Sequence, residues 1–148
     1  MGKLLCISGD SHIVEPAEFF EPLKKTFGDR APHMAVTNPD MGPQLQLGNG
    51  KVGLPAAGFL QQNVDYTSPK AKEDMKRGYG LALPGCYDVA ERLKEQYQDG
   101  IDAEVLYPSL LFNVYQIADL DIVKATFDLY NDWITDYCKP APDRLFAL

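Results

Sequence analysis

The sequence predicts an α/β protein built on a parallel sheet, and three observations carry that prediction. A nearly unbroken apolar run near the N-terminus stops abruptly at a polar cluster. A second β-rich run lies between two segments of helical periodicity. A third apolar stretch, Leu145-Phe146-Ala147-Leu148, follows closely on Pro140 and Pro142. Read in order, the elements run strand, long excursion, helix, strand, helix, strand. Strands that alternate with helices pair in parallel, through right-handed crossovers.

Each element has a local reason. Lys3-Leu4-Leu5-Cys6-Ile7-Ser8 is apolar almost throughout, the pattern of a strand covered on both faces, so the first strand is expected over about residues 3–9. Gly9-Asp10-Ser11-His12 ends it, and Glu15 to Phe20 reads as a short helix with Pro16 in its first turn. Residues 13–85 form a long excursion: thirteen of the chain's 23 Gly and Pro residues fall between Pro39 and Gly85. Leu45-Gln46-Leu47 ahead of Gly48-Asn49-Gly50 suggests a small hairpin with a Gly-rich turn. The excursion's apolar content is too thin to close a core, which makes it an insertion rather than a second domain.

Regular patterning returns after Pro84-Gly85. Asp88 and Glu91 form a capping-box-like pair, Val89, Leu93 and Tyr97 recur at helical spacing, and Gly100 stands where a C′ glycine ends a helix. These residues predict a helix over 88–99. A second strand follows over 103–108. Asp119 or Asp121 then caps a helix over 120–138, whose stripe is Val123, Phe127, Tyr130, Ile134 and Tyr137. The third strand begins at about residue 145.

Composition bounds the function. The chain has 148 residues, 45% apolar and 24% charged, with a net charge of −7. That balance specifies a folded chain, lacks the Lys/Arg surplus of a nucleic-acid binder, and contains no apolar run long enough for a bilayer span. Cys6, Cys86 and Cys138 are odd in number and sparse, as in a cytoplasmic protein with reduced, packed thiols. The N-terminal apolar stretch is too short for the core of a signal peptide.

The chemistry-bearing segment is Asp10-Ser11-His12, at the carboxyl end of the first strand, where parallel α/β folds gather their sites. Residues i and i+2 of an extended chain project on one side, so a carboxylate and an imidazole converge there as half of a divalent-metal site. The same segment resembles two other patterns. Gly9-Asp10-Ser11 resembles the nucleophile block of GDS-type esterases, but the base His such enzymes need near their C-terminus is missing, since His12 and His33 are the only histidines. Asp10-Ser11-His12 also resembles the first motif of calcineurin-like metallophosphoesterases, whose later Gly-Asn-His block has no counterpart: Gly48-Asn49-Gly50 lacks the His.

A third resemblance spans several blocks in order. Ser8 to Pro16, Gly28-Asp29-Arg30-Ala31-Pro32, Pro84-Gly85-Cys86-Tyr87-Asp88, Asp99 to Ser109, Tyr130-Asn131-Asp132-Trp133 and Ala141 to Leu145 together resemble the amidohydrolase-related metal-dependent TIM-barrel proteins. This is the branch that includes aminocarboxymuconate-semialdehyde and γ-resorcylate decarboxylases. The resemblance implies that residues 1–148 are the N-terminal part of a (β/α)8 barrel, with three strands and two main helices. It implies a metal-dependent hydrolase or decarboxylase acting on a small organic acid, ester or amide. Asp10 and His12 match the family's first-strand metal ligands, for Zn²⁺ or Mn²⁺. The other ligands and catalytic residues would lie beyond Leu148, so the segment is expected to be inactive alone.

Other positions receive quieter expectations. Ser109 faces the same mouth, either touching substrate or capping its loop. His33 is expected at the surface, Cys86 and Tyr87 in packing, Trp133 on the barrel wall, and Asn131 bonded to a neighbouring loop. The expected partners are a small-molecule substrate together with either further copies of the chain or the remainder of the barrel, and neither nucleic acid nor membrane. A different class stays open: a non-catalytic module of the same fold that associates through its unpaired edge strands.

Overall fold

The computed structural model describes residues 5–48, 50–60 and 67–148. It contains two three-stranded sheets. The parallel sheet has the order β1 (Ile7–His12), β5 (Ala103–Tyr107), β6 (Leu145–Ala147), and the antiparallel sheet the order β2 (His33–Ala35), β3 (Gln44–Gln46), β4 (Val52–Pro55). The helices are α1 (Glu21–Phe27), α2 (Ala57–Leu60), α3 (Pro69–Arg77), α4 (Val89–Asp99) and α5 (Leu120–Cys138). The mixed α/β class and the parallel order of the three expected strands hold. No closed barrel forms: among the described residues the outer edges of β1 and β6 carry no further strand.

The first strand lies later than expected. Residues 1–4 are outside the described residues, and β1 runs on through the polar cluster to His12 because Ser11 and His12 pair with Leu106 and Tyr107 of β5. Pairing with a neighbour, rather than the extent of the apolar run, sets the end of a strand. The ladder steps by three residues on β1 and two on β5 between Ser8–Glu104 and Ser11–Leu106, a β-bulge at Gly9-Asp10.

Nor is the sheet covered on both faces. Ser8, Ser11, Glu104, Leu106 and Leu145 share the side on which α4 and α5 pack, where Leu106 and Leu145 are buried. The alternate residues face the other way, and there Ile7 is 58% and Phe146 48% exposed. Cys6, expected to be packed, is exposed because it precedes the ladder, whereas Cys86 and Cys138 are half-buried free thiols.

The excursion differs most from its sequence reading. Glu15 to Phe20 does not make one helix. Pro16 caps a 3-10 turn over Ala17–Phe20, and α1 begins at Glu21 with Pro22 in its first turn. The expected hairpin exists as β3 and β4, with the Leu47 N–H donating to the Lys51 carbonyl at 3.0 Å. Its tip residue Asn49 lies outside the described residues. The sequence reading missed β2, which completes the sheet, and α3, whose first turn is capped by Ser68 Oγ. The excursion does help close a core: Leu45 and Leu47 are fully buried with Phe20, Leu23, Leu106 and Leu110. With Phe19, Phe20 and Leu23 of the same excursion, they pack on the strand-and-helix core instead of building their own.

Both main helices start where their caps predict. Asp88 accepts from Glu91 N–H at 2.9 Å, and Asp119 from the N–H groups of Asp121 and Ile122. Gly100 ends α4 at φ +71°, in the left-handed region. Their buried faces are rotated from the apolar stripes. On α4 the buried residues are Arg92 and Gln96, while Tyr97 is 83% exposed, because the sheet side chain opposite is the Glu104 carboxylate. On α5, Ile122 and Thr126 replace Val123 and Phe127 at the amino end, and Tyr130, Ile134 and Tyr137 stay buried. Trp133 packs edge-on against Phe19 of the excursion, ring centroids 5.6 Å apart, and against the core cluster. Asn131 is exposed.

Three substitutions test this packing. Gly48 has φ +73°, and a Cβ there would sit 1.9 Å from the Arg30 carbonyl oxygen, whereas Gly50, at φ +78°, has open space. Gly50→Ala is expected to cost about 1 kcal/mol, the price of the left-handed conformation alone. Gly48→Ala is expected to cost about 2 kcal/mol more by urea denaturation, since backbone must move. Arg92→Met, which strands the Glu104 carboxylate in the interior, is expected to cost about 3–5 kcal/mol in the same assay.

Candidate functional site

The site is built at the carboxyl ends of β1 and β5. The bulge turns Asp10 out of the ladder into solvent, its side chain 86% exposed, while His12 resumes pairing opposite Tyr107. His12 Nε2 and Asp10 Oδ1 lie 3.6 Å apart, so the expected convergence occurs. Tyr107 and Phe112 flank the imidazole, with ring centroids 5.9 and 6.1 Å away.

The other ring nitrogen fixes the tautomer. His12 Nδ1 lies 3.0 Å from the Pro108 carbonyl oxygen, which can only accept, so Nδ1 carries a proton, and in the neutral imidazole Nε2 is the acceptor nitrogen. Ser109 Oγ, 3.4 Å from the same nitrogen, therefore meets a donor already engaged, and no Ser-His pair of the hydrolase type is formed. Ser109 is 1% exposed, lying beneath the imidazole rather than in an open mouth.

Behind the strand, a buried network holds the backbone of His12. Arg92 donates to Glu104 Oε2 at 2.6 Å, to the His12 carbonyl from both terminal nitrogens at 3.2 Å, and to the Gly85 carbonyl at 3.2 Å. Glu104 also accepts from Gln96 at 2.8 Å and from Ser11 Oγ at 3.2 Å. Ser11, the nucleophile position in the esterase resemblance, is thus on the helix-covered side, opposite the His12 ring. A polar cleft of about 260 Å³ runs past Ser11, His12, Arg92, Gln96 and Glu104.

The structure brings Asp10, His12 and Ser109 together and leaves the other candidates apart. His33, expected at the surface, is half-buried because β2 pairs with β3, and its Nδ1 lies 2.9 Å from the Ala31 carbonyl oxygen. Cys86 packs as expected, but Tyr87 is 55% exposed, since the 3-10 turn over Pro84–Cys86 presents it outward. Among the described residues, no three His, Cys, Asp or Glu side chains cluster to hold a metal ion. Asp10 and His12 together present one carboxylate and one imidazole, 3.6 Å apart.

One residue of the site escaped the sequence reading. Glu15 is 0% exposed, and its carboxylate accepts from three consecutive N–H groups: Ser109 at 3.0 Å, Leu110 at 2.8 Å and Leu111 at 3.4 Å. Burial pushes its pKa up from 4.5 to about 6, against the three backbone hydrogen bonds that favour the charge. The available signal was a carboxylate among apolar neighbours, Ile13-Val14-Glu15-Pro16, but its donors lie 94 or more residues away.

Comparisons with known proteins bear on the fold. No protein-family model matches the sequence, and no curated protein matches it. Among solved structures, the chain is similar to an amidohydrolase from Mycobacterium avium subsp. paratuberculosis K-10, with a TM-score of 0.62 and 15% sequence identity. The match covers 99% of this chain and 42% of that one. This chain therefore has an amidohydrolase-like fold over less than half of that structure's length.

The raised pKa of Glu15 has a signed consequence. Between pH 4.5 and 6 the folded state binds more protons than the unfolded one, so stability falls as pH rises through that window. The drop expected from this group is about 2 kcal/mol. Subtracting the Glu15→Gln stability profile from that of wild type, by urea denaturation from pH 4 to 7, should reveal it. A flat difference would show that Glu15 is not held in this environment.

Proposed function

We propose that this chain provides the first-strand portion of a metal-dependent amidohydrolase-type site, for hydrolysis or decarboxylation of a small organic acid, ester or amide. One observation carries the reading: with Nδ1–H held by the Pro108 carbonyl, Nε2, the acceptor nitrogen of the neutral ring, lies 3.6 Å from the Asp10 carboxylate. Two acceptors pointed at each other favour a cation between them. Imidazole ligands to metals typically donate their other N–H to a carbonyl or carboxylate, as His12 does. The donor set, one nitrogen and one carboxylate oxygen, fits Zn²⁺ or Mn²⁺. Such an ion, when bound, supplies polarisation of a substrate oxygen and a lowered pKa for bound water.

The chain's own residues have simpler tasks. His12 is held by its Nδ1–H with Nε2 facing outward, Asp10 supplies charge from the solvent side of the bulge, and Tyr107 and Phe112 flank the imidazole. In this reading the remaining ligands, and the strands that cover the exposed face bearing Ile7 and Phe146, come from further βα units, up to the eight of a full barrel. Isolated residues 1–148 then have little or no turnover. The three free thiols accord with a reducing cytoplasmic setting.

The same exposed face, with sheet edges that carry no further strand among the described residues, favours a second reading, a non-catalytic module that associates through its sheet. Mn²⁺ titration followed by electron paramagnetic resonance separates the two. The metal reading expects one site in wild type, weakened at least about tenfold in both Asp10→Ala and His12→Ala. Undiminished Mn²⁺ uptake in both variants would overturn it.

A further inference from the structure

The peptide group joining Pro108 to Ser109 is gripped from both sides. Its carbonyl oxygen accepts His12 Nδ1–H at 3.0 Å, and its N–H donates to Glu15 Oε1 at 3.0 Å. A trans peptide is planar, with C=O and N–H directed oppositely, so fixing the direction of one fixes the other. Leu110 and Leu111 N–H on the same carboxylate remove the remaining freedom of this turn. Proline supplies no N–H of its own at 108, leaving Ser109 N–H as the first donor by which the strand end can be held.

We infer that Glu15 is the positioning residue of the Asp10–His12 site: acting through the Pro108–Ser109 peptide, it fixes the tautomer and aim of the His12 ring. This rests on the reading of Asp10 and His12 as metal ligands. Glu15 touches neither the ring nor any reacting atom. Its negative charge polarises the peptide it binds, strengthening the Pro108 oxygen as an acceptor for Nδ1–H and enriching electron density at Nε2. The arrangement has the logic of a carboxylate–histidine pair with one peptide unit inserted between the partners. Its chain positions account for it. Glu15 follows His12 by three residues, and the β1 chain carries His12 to the solvent side of the Pro108–Ser109 peptide and Glu15 to its buried side.

Glu15→Gln tests this, because an amide cannot accept at both ends and turns one NH2 toward a backbone donor. Ring ¹⁵N shifts at pH 8 report the tautomer of each histidine, and with only His12 and His33 present, His33 serves as the internal reference. In wild type His12 is expected as the pure Nδ1–H form. In Glu15→Gln it is expected to become a mixture of tautomers, with His33 unchanged and Mn²⁺ affinity reduced about tenfold. A purely structural Glu15 would lower the melting temperature without altering the tautomer. Unchanged His12 shifts in the folded variant, with Mn²⁺ affinity within twofold of wild type, would overturn the inference. Should Glu15→Gln fail to fold, scalar couplings across the hydrogen bonds of wild type decide. Both Ser109 N–H to the Glu15 carboxylate and His12 Nδ1–H to the Pro108 carbonyl must appear, and the absence of either overturns the proposal. If wild type takes up no Mn²⁺ but the tautomer responds to Glu15→Gln, the metal reading fails while the positioning role stands.

Discussion

The buried pair of Arg92 and Glu104 is the constraint on which the parallel sheet and its site both depend. Removing two charges from water is costly, and a buried pair survives only when its remaining hydrogen-bonding capacity is met. Here it is met by chain segments far apart in sequence. Arg92 on α4 reaches Glu104 on β5, the His12 carbonyl on β1 and the Gly85 carbonyl before the helix, while Gln96 and Ser11 complete the carboxylate. Any shift of α4 along the sheet would break several charge-assisted bonds at once. The pair thus specifies register more than it adds stability, and it explains why Arg92 and Gln96 of α4 are more deeply buried than Val89 and Leu93 of its apolar stripe.

That network lies on one side of the sheet and the site on the other. His12 belongs to both: its carbonyl is tied to Arg92 behind the strand, and its ring is held in front by Pro108. The bulge at Gly9-Asp10 permits this division. An extra residue there takes Asp10 out of the ladder and lets Ser11 remain on the covered side beside Glu104. In a regular strand the side chains would alternate without interruption. Ser8 and Ser11, three residues apart, would then face opposite sides, whereas here both lie on the covered side opposite Glu104 and Leu106.

Parallel sheets are covered on both faces in folds of this class. In this chain, α4, α5 and the excursion cover one face, and Ile7 and Phe146 lie on the other. The similarity to a longer amidohydrolase structure, 42% of which is matched, sets that face in a physical context. Further strands laid beside β1 and β6 would turn it into an interior.

How much was legible in the sequence follows from the range of each interaction. Helix starts at Asp88 and Asp119, the stop at Gly100 and the Gly-rich hairpin are decided within about four residues, and all could be read from the chain alone. The approach of Asp10 to His12 was legible for the same reason, since two residues in an extended segment share a side whatever else the fold does. The extent of β1, the polar underside of α4, the recruitment of Leu45 and Leu47 into the core and the role of Glu15 were not legible. Each depends on which distant segment lies opposite. A carboxylate reads as a surface group until three backbone donors from residues 109–111 surround it. Sequence by itself determined the three parallel strands and the two main helices, their order and the chemical pair at the end of the first strand. Only the tertiary structure decided which faces are buried and how that pair is held, because burial and register are properties of contacts between segments, not of the segments themselves.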